Sequence, residues 1–149
     1  MKRIIILTLL LSMALAQAVA QKDMAVTPVF AGKIVPKKRM EETLVKGESI
    51  HKFKLSLFRS LKMEVSTAER DSIESLVLHD VEGLEDSPEA EYEMKDGHLS
   101  YCISSLPAQQ KCYLCYQCYE SRPGNYQLTL VYIEGWATLK DLHHTFKRK

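Results

Sequence analysis

Residues 111–120 read Lys-Cys-Tyr-Leu-Cys-Tyr-Gln-Cys-Tyr-Glu and hold three of the four cysteines of the chain. The stretch is rich in tyrosine, a residue enriched in strands, and turn residues stand on both sides of it, which together predict a strand. Other predicted strands precede and follow it at short intervals. We therefore expect this stretch to lie at the centre of a sheet.

The neighbouring strands are connected by short turns. Residues 91–95 and 98–106 are predicted strands joined by Asp96-Gly97, a pair that tolerates the positive φ angles of a two-residue hairpin turn. A fourth strand is expected over residues 126–134. Sequential strands with short turns predict an antiparallel meander.

Upstream of the meander, apolar residues occur at alternate positions between residues 53 and 65, which is the period of a half-buried strand. Ser66 and Glu69 have the spacing of a capping box. Apolar residues follow at intervals of three and four, so we expect an amphipathic helix over residues 67–83. Thr138 can cap a short C-terminal helix that extends to Lys147.

These elements predict an α+β fold. Its antiparallel sheet has about five strands, and the longer helix and the short C-terminal helix are expected to pack on one face of the sheet.

The amino end has the three parts of a secretory signal peptide. Residues 1–3 (Met-Lys-Arg) are positive, residues 4–15 are mainly apolar, and residues 18–20 (Ala-Val-Ala) form the small-x-small pattern that signal peptidase reads. The apolar run is too short to cross a bilayer, which requires about 20 residues. We expect residues 1–20 to be a signal peptide and residues 21–149 to be a single exported domain without a transmembrane segment, in the periplasm, on the cell surface or secreted.

The charge of the chain is close to balanced. Loss of Lys2 and Arg3 with the signal peptide reduces the 20 basic residues to 18, against 19 acidic residues. This balance argues against nucleic acid as a partner. Residues 21–63 carry ten basic against four acidic residues, and residues 64–96 carry two against twelve, which we interpret as an acidic, solvated helix face and loop.

The alternation of side chains predicts a register for the cysteines. The more apolar side chains occupy odd positions in residues 98–106 and even positions in residues 111–120. If both sets face the core across a four-residue turn, Cys102 lies opposite Cys115 on the other face, and we predict a disulfide between them. The same register pairs Leu99 with Cys118, Tyr101 with Tyr116, and Ile103 with Leu114.

The other two cysteines of the strand leave a second possibility open. Cys112 and Cys118 are expected on the opposite face, about 20 Å apart, and therefore as thiols that do not bridge each other. The spacing of Cys112, Cys115 and Cys118 is also compatible with a metal site if the backbone turns around the ion. Thiol chemistry is the other form of this alternative, and it requires a cysteine with a lowered pKa. A strand opposes this alternative because alternate side chains diverge.

The tyrosines of this strand suggest a binding surface. Tyr113, Gln117 and Tyr119 are expected on the outer face of the sheet, where exposed aromatic side chains can stack on a sugar or dock a peptide. Tyrosine is also common in strands for packing reasons alone.

No catalytic motif or cofactor signature emerges from the sequence. The favoured function is an uncharacterised, non-enzymatic binding or cell-envelope-associated module, with an envelope protein, a peptide or a glycan as partner. The alternative is a thiol or metal-binding protein centred on the cysteines.

Several segments outside the cysteine strand carry a family resemblance: Phe30-Ala31-Gly32-Lys33, Met40-Glu41-Glu42-Thr43, residues 53–61, and residues 132–139 with the sequence Tyr-Ile-Glu-Gly-Trp-Ala-Thr-Leu. The chain resembles small exported proteins of unknown function from Gram-negative gut anaerobes. This resemblance implies a periplasmic or surface setting and assigns no functional residue. The cysteine cluster is not part of the pattern.

Overall fold

The computed structural model describes residues 24–82, 90–106 and 109–146. Its strands are β1 (Met40–Lys46), β2 (Leu55–Ser66), β3 (Ala90–Lys95), β4 (His98–Leu106), β5 (Gln109–Arg122) and β6 (Asn125–Gly135). Within the described residues they form one antiparallel sheet of six strands in the order β1-β2-β6-β5-β4-β3. The helices are α1 (Thr27–Phe30), α2 (Thr67–Asp80) and α3 (Leu139–Phe146), with 3-10 turns at Lys37–Arg39 and Glu48–Phe53.

The predicted antiparallel sheet and the two helices are confirmed, with six strands instead of about five. The capping box at the start of α2 is formed, because the Glu69 N–H donates to Ser66 Oγ (3.2 Å) and the Ser66 N–H donates to the Glu69 carboxylate (3.0 Å). The Arg39 guanidinium, 2.8 Å from Glu69, lowers the pKa of that carboxyl to about 2. Asp96 and Gly97 have the positive φ angles expected of the hairpin turn.

The sheet carries a hydrophobic core on each face. The first face bears Leu61 and Leu130 and is covered by α1 and α2. Ile73 and Val77 of α2 pack there, and we call this cluster the first core. The second face bears Ile133, and Leu142 of α3 packs there. The members of this second core are Leu55, Ile103, Tyr113, Ile133, Ala137 and Leu142.

The prediction that both helices pack on one face is therefore wrong. Helix α2 contributes to the first core and α3 to the second. The physical reason is that β5 and β6 place apolar side chains at both odd and even positions, as in Tyr113 next to Leu114 and Tyr132 next to Ile133. A strand covered on both faces lacks the clear alternation that identifies a single core face.

A bulge in β4 separates odd-numbered residues expected on one face. Tyr101 pairs with Glu93, whereas Leu99 pairs with the next residue of β3, so Ser100 is an extra residue on this strand. Leu99 therefore belongs to the first core, while Ile103 belongs to the second. The sequence pattern treats these odd-numbered residues as one face and does not reveal the bulge.

The predicted disulfide between Cys102 and Cys115 is not formed, because the pairing of β4 with β5 shifts between Ser105 and Leu106, next to the connecting turn. Cys102 lies opposite Tyr116, and Cys115 lies opposite Ile103, one residue away from the predicted register. Cys102 faces the first core and Cys115 the second. Within the described chain, none of the four cysteines is part of a disulfide.

The first described residues are tied to the end of α2. The carboxylate of Asp80 accepts hydrogen bonds from the N–H groups of Ala25 (2.7 Å) and Val26 (3.0 Å). Val26 and Phe30 are buried in the first core. The segment before β1 is thus a structural part of the core, with α1 as a single helical turn.

The signal peptide predicted over residues 1–20 lies outside the described residues. Among the helices of the described ranges, none has the length and apolar character needed to cross a membrane.

The position of the first core can be tested with one leucine from each strand of the β1–β2 pair. Leu61 is fully buried, whereas Leu44 is 52% exposed. Leu61→Ala is expected to lower the free energy of unfolding by about 2 to 5 kcal/mol, because it removes buried methyl groups and leaves a cavity. The same change at Leu44 is expected to stay within about 0.5 kcal/mol. Urea denaturation of both variants provides the comparison, and equal losses would contradict the assignment of the first face.

Candidate binding groove

A groove of about 920 Å³ lies on the part of the second face that α3 leaves open. Helix α3 is held at the other end by an ion pair from Lys54 to Asp141 (3.3 Å) and by a contact from His143 Nδ1 to Glu91 (3.1 Å). Asp141 and Thr138 also cap each other, which confirms the predicted start of this helix. The groove is therefore a fixed feature of the sheet.

The polarity of the second face changes along the strands. Beside α3, the neighbouring side chains Phe58, Ile133 and Tyr113 form an apolar row across the sheet. Farther from α3, cross-strand pairing produces a row of five polar side chains, which we call the polar row: Lys62, Thr129, Gln117, Tyr101 and Glu93. The open part of the face thus offers hydrogen-bond donors and acceptors side by side.

The structure places all three predicted binding residues on this face. Gln117 lies in the polar row and is exposed, and Tyr119 is 59% exposed at the end of the groove. Tyr113, in contrast, is 8% exposed and packs in the second core with Leu142. The sequence thus identifies the face, but not the extent to which α3 covers it.

Tyr101 adds a donor to the polar row that the sequence analysis assigned only to packing. Burial raises the pKa of Tyr101 to about 12, with smaller contributions from Glu91 and nearby thiols. Its hydroxyl is therefore protonated at neutral pH. A protonated hydroxyl both donates and accepts hydrogen bonds.

At one end of the groove, β4 and β5 separate. Their pairing ends at Tyr101 and Gln117, and within the described residues β5 continues along β6 alone as far as Arg122. We call the space between residues 98–100 and residues 118–122 the notch. It leads from the second face towards the first core, so that side chains of both faces line the groove.

A polar network holds β4 at the notch. The Leu99 N–H donates to Glu74 Oε1 (2.6 Å), and His98 Nδ1 lies 3.0 Å from Glu74 Oε2. Arg70 bonds to Asp71 (2.7 Å), reaches His98 Nε2 (3.5 Å), and places its guanidinium carbon 4.4 Å from the centre of the Tyr126 ring. Arg70 and Glu74 are both buried although the sequence predicts an acidic, solvated outer face for this helix.

This network also contains the single group of potential metal ligands found in the described ranges. One ligand atom each from Asp71, Glu74 and His98 lies within 4.8 Å of the others. The same groups are already engaged by Arg70, by the Leu99 N–H or by each other. The arrangement therefore serves to attach α2 to β4, and its signal in the sequence is the pairing of Arg70 with Glu74 one helical turn later.

Tyr116 lies where the groove meets the first core. It is 1% exposed, and no described group meets its hydroxyl in good hydrogen-bonding geometry. Burial is the main reason that its pKa is raised, and the neighbouring Cys118 thiol adds to the rise. The equally buried Tyr132 differs, because its hydroxyl donates to Glu134 (2.7 Å) and contacts the Cys112 sulfur (3.4 Å).

The three cysteines of β5 do not converge on a common point. Cys112 and Cys118 face the first core, and Cys115 faces the second. Burial raises the pKa of each of these thiols, and it raises the pKa of Cys102 to about 12. Protonated thiols are poor metal ligands and poor nucleophiles, because both roles require the thiolate.

Comparison with known proteins identifies the family of the chain. A family of unknown function, DUF6108, matches residues 13–146. The chain belongs to DUF6108. No curated protein and no solved structure matches the chain.

Membership in DUF6108 confirms part of the resemblance found in the sequence, namely that to a family of unknown function. The match includes every strand and helix described above, from α1 to α3. The groove and the notch therefore lie within the segment that matches the DUF6108 family.

The state of the cysteines can be measured directly. The protein unfolded in denaturant without reductant is expected to bind four alkylating groups by intact mass, since the register separates Cys102 from Cys115. The folded protein is expected to react slowly, because Cys102, Cys112 and Cys118 are buried and the pKa of each of the four thiols is raised. Cys115→Ala is the control and should show three adducts. Two adducts on the unmutated chain would indicate one disulfide and a different register.

Proposed function

We propose that this protein is an exported, non-enzymatic binding module of the cell envelope, and that its ligand lies in the groove. The observation that carries the proposal is the polar row next to the exposed ring of Tyr119 on an otherwise covered sheet face. The periplasm or the cell surface is the proposed location, in keeping with the signal peptide predicted over residues 1–20.

The chemistry of the groove favours a ligand with both polar and flat apolar parts. Gln117 and Lys62 are exposed and can form directional hydrogen bonds with a ligand. Tyr119 supplies a large apolar surface at low conformational cost, since its side chain has two rotatable bonds. Peptides and glycans both have this mixed character.

Cys115 and Ser60, which could serve as nucleophiles in the groove, both lack an activating neighbour among the described residues. This favours binding over catalysis. Cys115 has a pKa raised by burial, which keeps its thiol protonated. Ser60 is buried, and its cross-strand neighbours on the second face are Thr43 and Val131, neither of which is a base. A nucleophile needs an adjacent base or a lowered pKa to be activated.

The binding surface can be tested with arrays of immobilised peptides and glycans. Tyr119→Ala is expected to weaken binding of the retained ligands about tenfold, equivalent to about 1.4 kcal/mol, because the stacking surface is lost. Gln117→Ala should weaken it in the same direction. Melting temperatures are expected to remain unchanged because both side chains are exposed.

Trp136→Ala is the matched control for this experiment. Trp136 is 49% exposed and lies against the His51 ring, with centroids 5.4 Å apart, outside the groove. Its loss should leave array binding unchanged. Equal binding by Tyr119→Ala and the unmutated protein, or no retained ligand at all, would show that the groove is not the binding site.

Export is tested by expression of the whole chain in a Gram-negative host. The mature protein is expected in the periplasmic or surface fraction with Gln21 as its first residue by intact mass. Leu9→Arg, which breaks the apolar run, is expected to keep the uncleaved chain in the cytoplasm. An uncleaved chain in both cases would contradict the proposed export.

A further inference from the structure

We infer that the notch binds an extended peptide segment, which adds a short strand beside residues 118–122 of β5. This inference rests on the proposed function and names the ligand class of the same groove. It depends on the unpaired backbone of β5, on the attachment of β4 to α2, and on the groove beside them.

The backbone of β5 is unpaired on one side at the notch. Beyond Gln117 the described part of β4 no longer pairs with β5, whereas β6 pairs with β5 as far as Arg122. Backbone N–H and C=O groups along such an edge are ready to pair with another strand. A sugar does not offer the regular alternation of donor and acceptor that matches this edge, but an extended peptide does.

The native chain does not close this edge because β4 is engaged elsewhere. The Leu99 N–H is taken by Glu74, and Ser100 Oγ donates to the carbonyl of Glu93 (2.9 Å). His98 is also held by Glu74 and lies within 3.5 Å of Arg70. The start of β4 is therefore fixed to α2 and β3, and the space beside β5 is built into the fold.

The notch differs from the outer edges of the sheet. Strand β1 is also an edge, and like residues 118–122 it carries charged side chains. Residues 118–122 differ because Cys118, Tyr119 and Glu120 line the groove, whereas no residue of β1 does. A strand of five residues here would span about 17 Å.

The two sides of the notch predict the sequence of the peptide. Side chains of an added strand alternate between the two faces. On one face they meet Leu99 and Cys118, which are buried and apolar, so small apolar residues fit there. On the other they meet Tyr119 and Gln117, so polar or aromatic residues fit there.

The test uses a random nine-residue peptide library displayed on phage and selected against the exported protein, with Tyr119→Ala for counter-selection. The strongest peptide is then synthesised and methylated at one backbone nitrogen at a time. Because alternate amides of a strand face its neighbour, methylation at one parity is expected to weaken binding about tenfold or more. Methylation at the other parity should change it less than about twofold and is the internal control.

On the protein side, amide hydrogen exchange of the peptide complex identifies the edge. Notch-facing amides of residues 118–122 are expected to slow about tenfold or more on binding, and amides of β1 should not change.

Each other outcome overturns the inference. Peptides that depend on Tyr119 but tolerate methylation at both parities would leave the groove as the binding site and exclude strand addition. Sensitivity to methylation with protection on β1 would place the added strand at another edge. If glycans bind in a Tyr119-dependent manner and no peptide is selected, the ligand is a glycan and not a peptide. Absence of any groove-dependent ligand would refute the proposed function together with this inference.

Discussion

The hydrogen bond from the Leu99 N–H to the Glu74 carboxylate (2.6 Å) is the constraint on which the candidate site depends. It joins α2 to the start of β4 and provides this backbone amide with a partner outside the sheet. The bulge at Ser100 follows, and β4 pairs with β5 from Tyr101 onward. A buried carboxylate is costly without partners, and His98 together with the Leu99 N–H supplies them. One charged network thus determines where two central strands separate.

The second general property of the structure is a sheet covered on both faces but to different extents. The first core is completed by α1 and α2, whereas α3 covers the second face beside Phe58 and Ile133 and leaves the polar row open. The side chains follow this division, because those away from α3 are polar and those beneath it are apolar. The open surface is therefore encoded in the strands themselves, and the cysteines of β5 contribute to packing at its boundary.

Much of the fold could be predicted from local patterns. The capping box of Ser66 and Glu69, the Asp96-Gly97 turn and the alternation in β2 each depend on a few neighbouring residues. The register of β4 against β5 could not be predicted, because a shift in pairing next to the turn, between Ser105 and Leu106, exchanges the faces that meet, and a separate bulge at Ser100 moves Leu99 to the other face. For the same reason the sequence indicated Gln117 and Tyr119 but gave no sign of the notch.

The contact of Asp80 with Ala25 and Val26 has a consequence for the order of folding. These partners are 55 and 54 residues apart, and Leu130 of the same core lies farther along the chain. A chain synthesised from its amino end produces Val26 and Phe30 long before the strands that bury them. Non-local contacts of this kind close large loops and slow the search for the native state. The amino-terminal segment is therefore among the earliest parts to be made and among the latest to find its place.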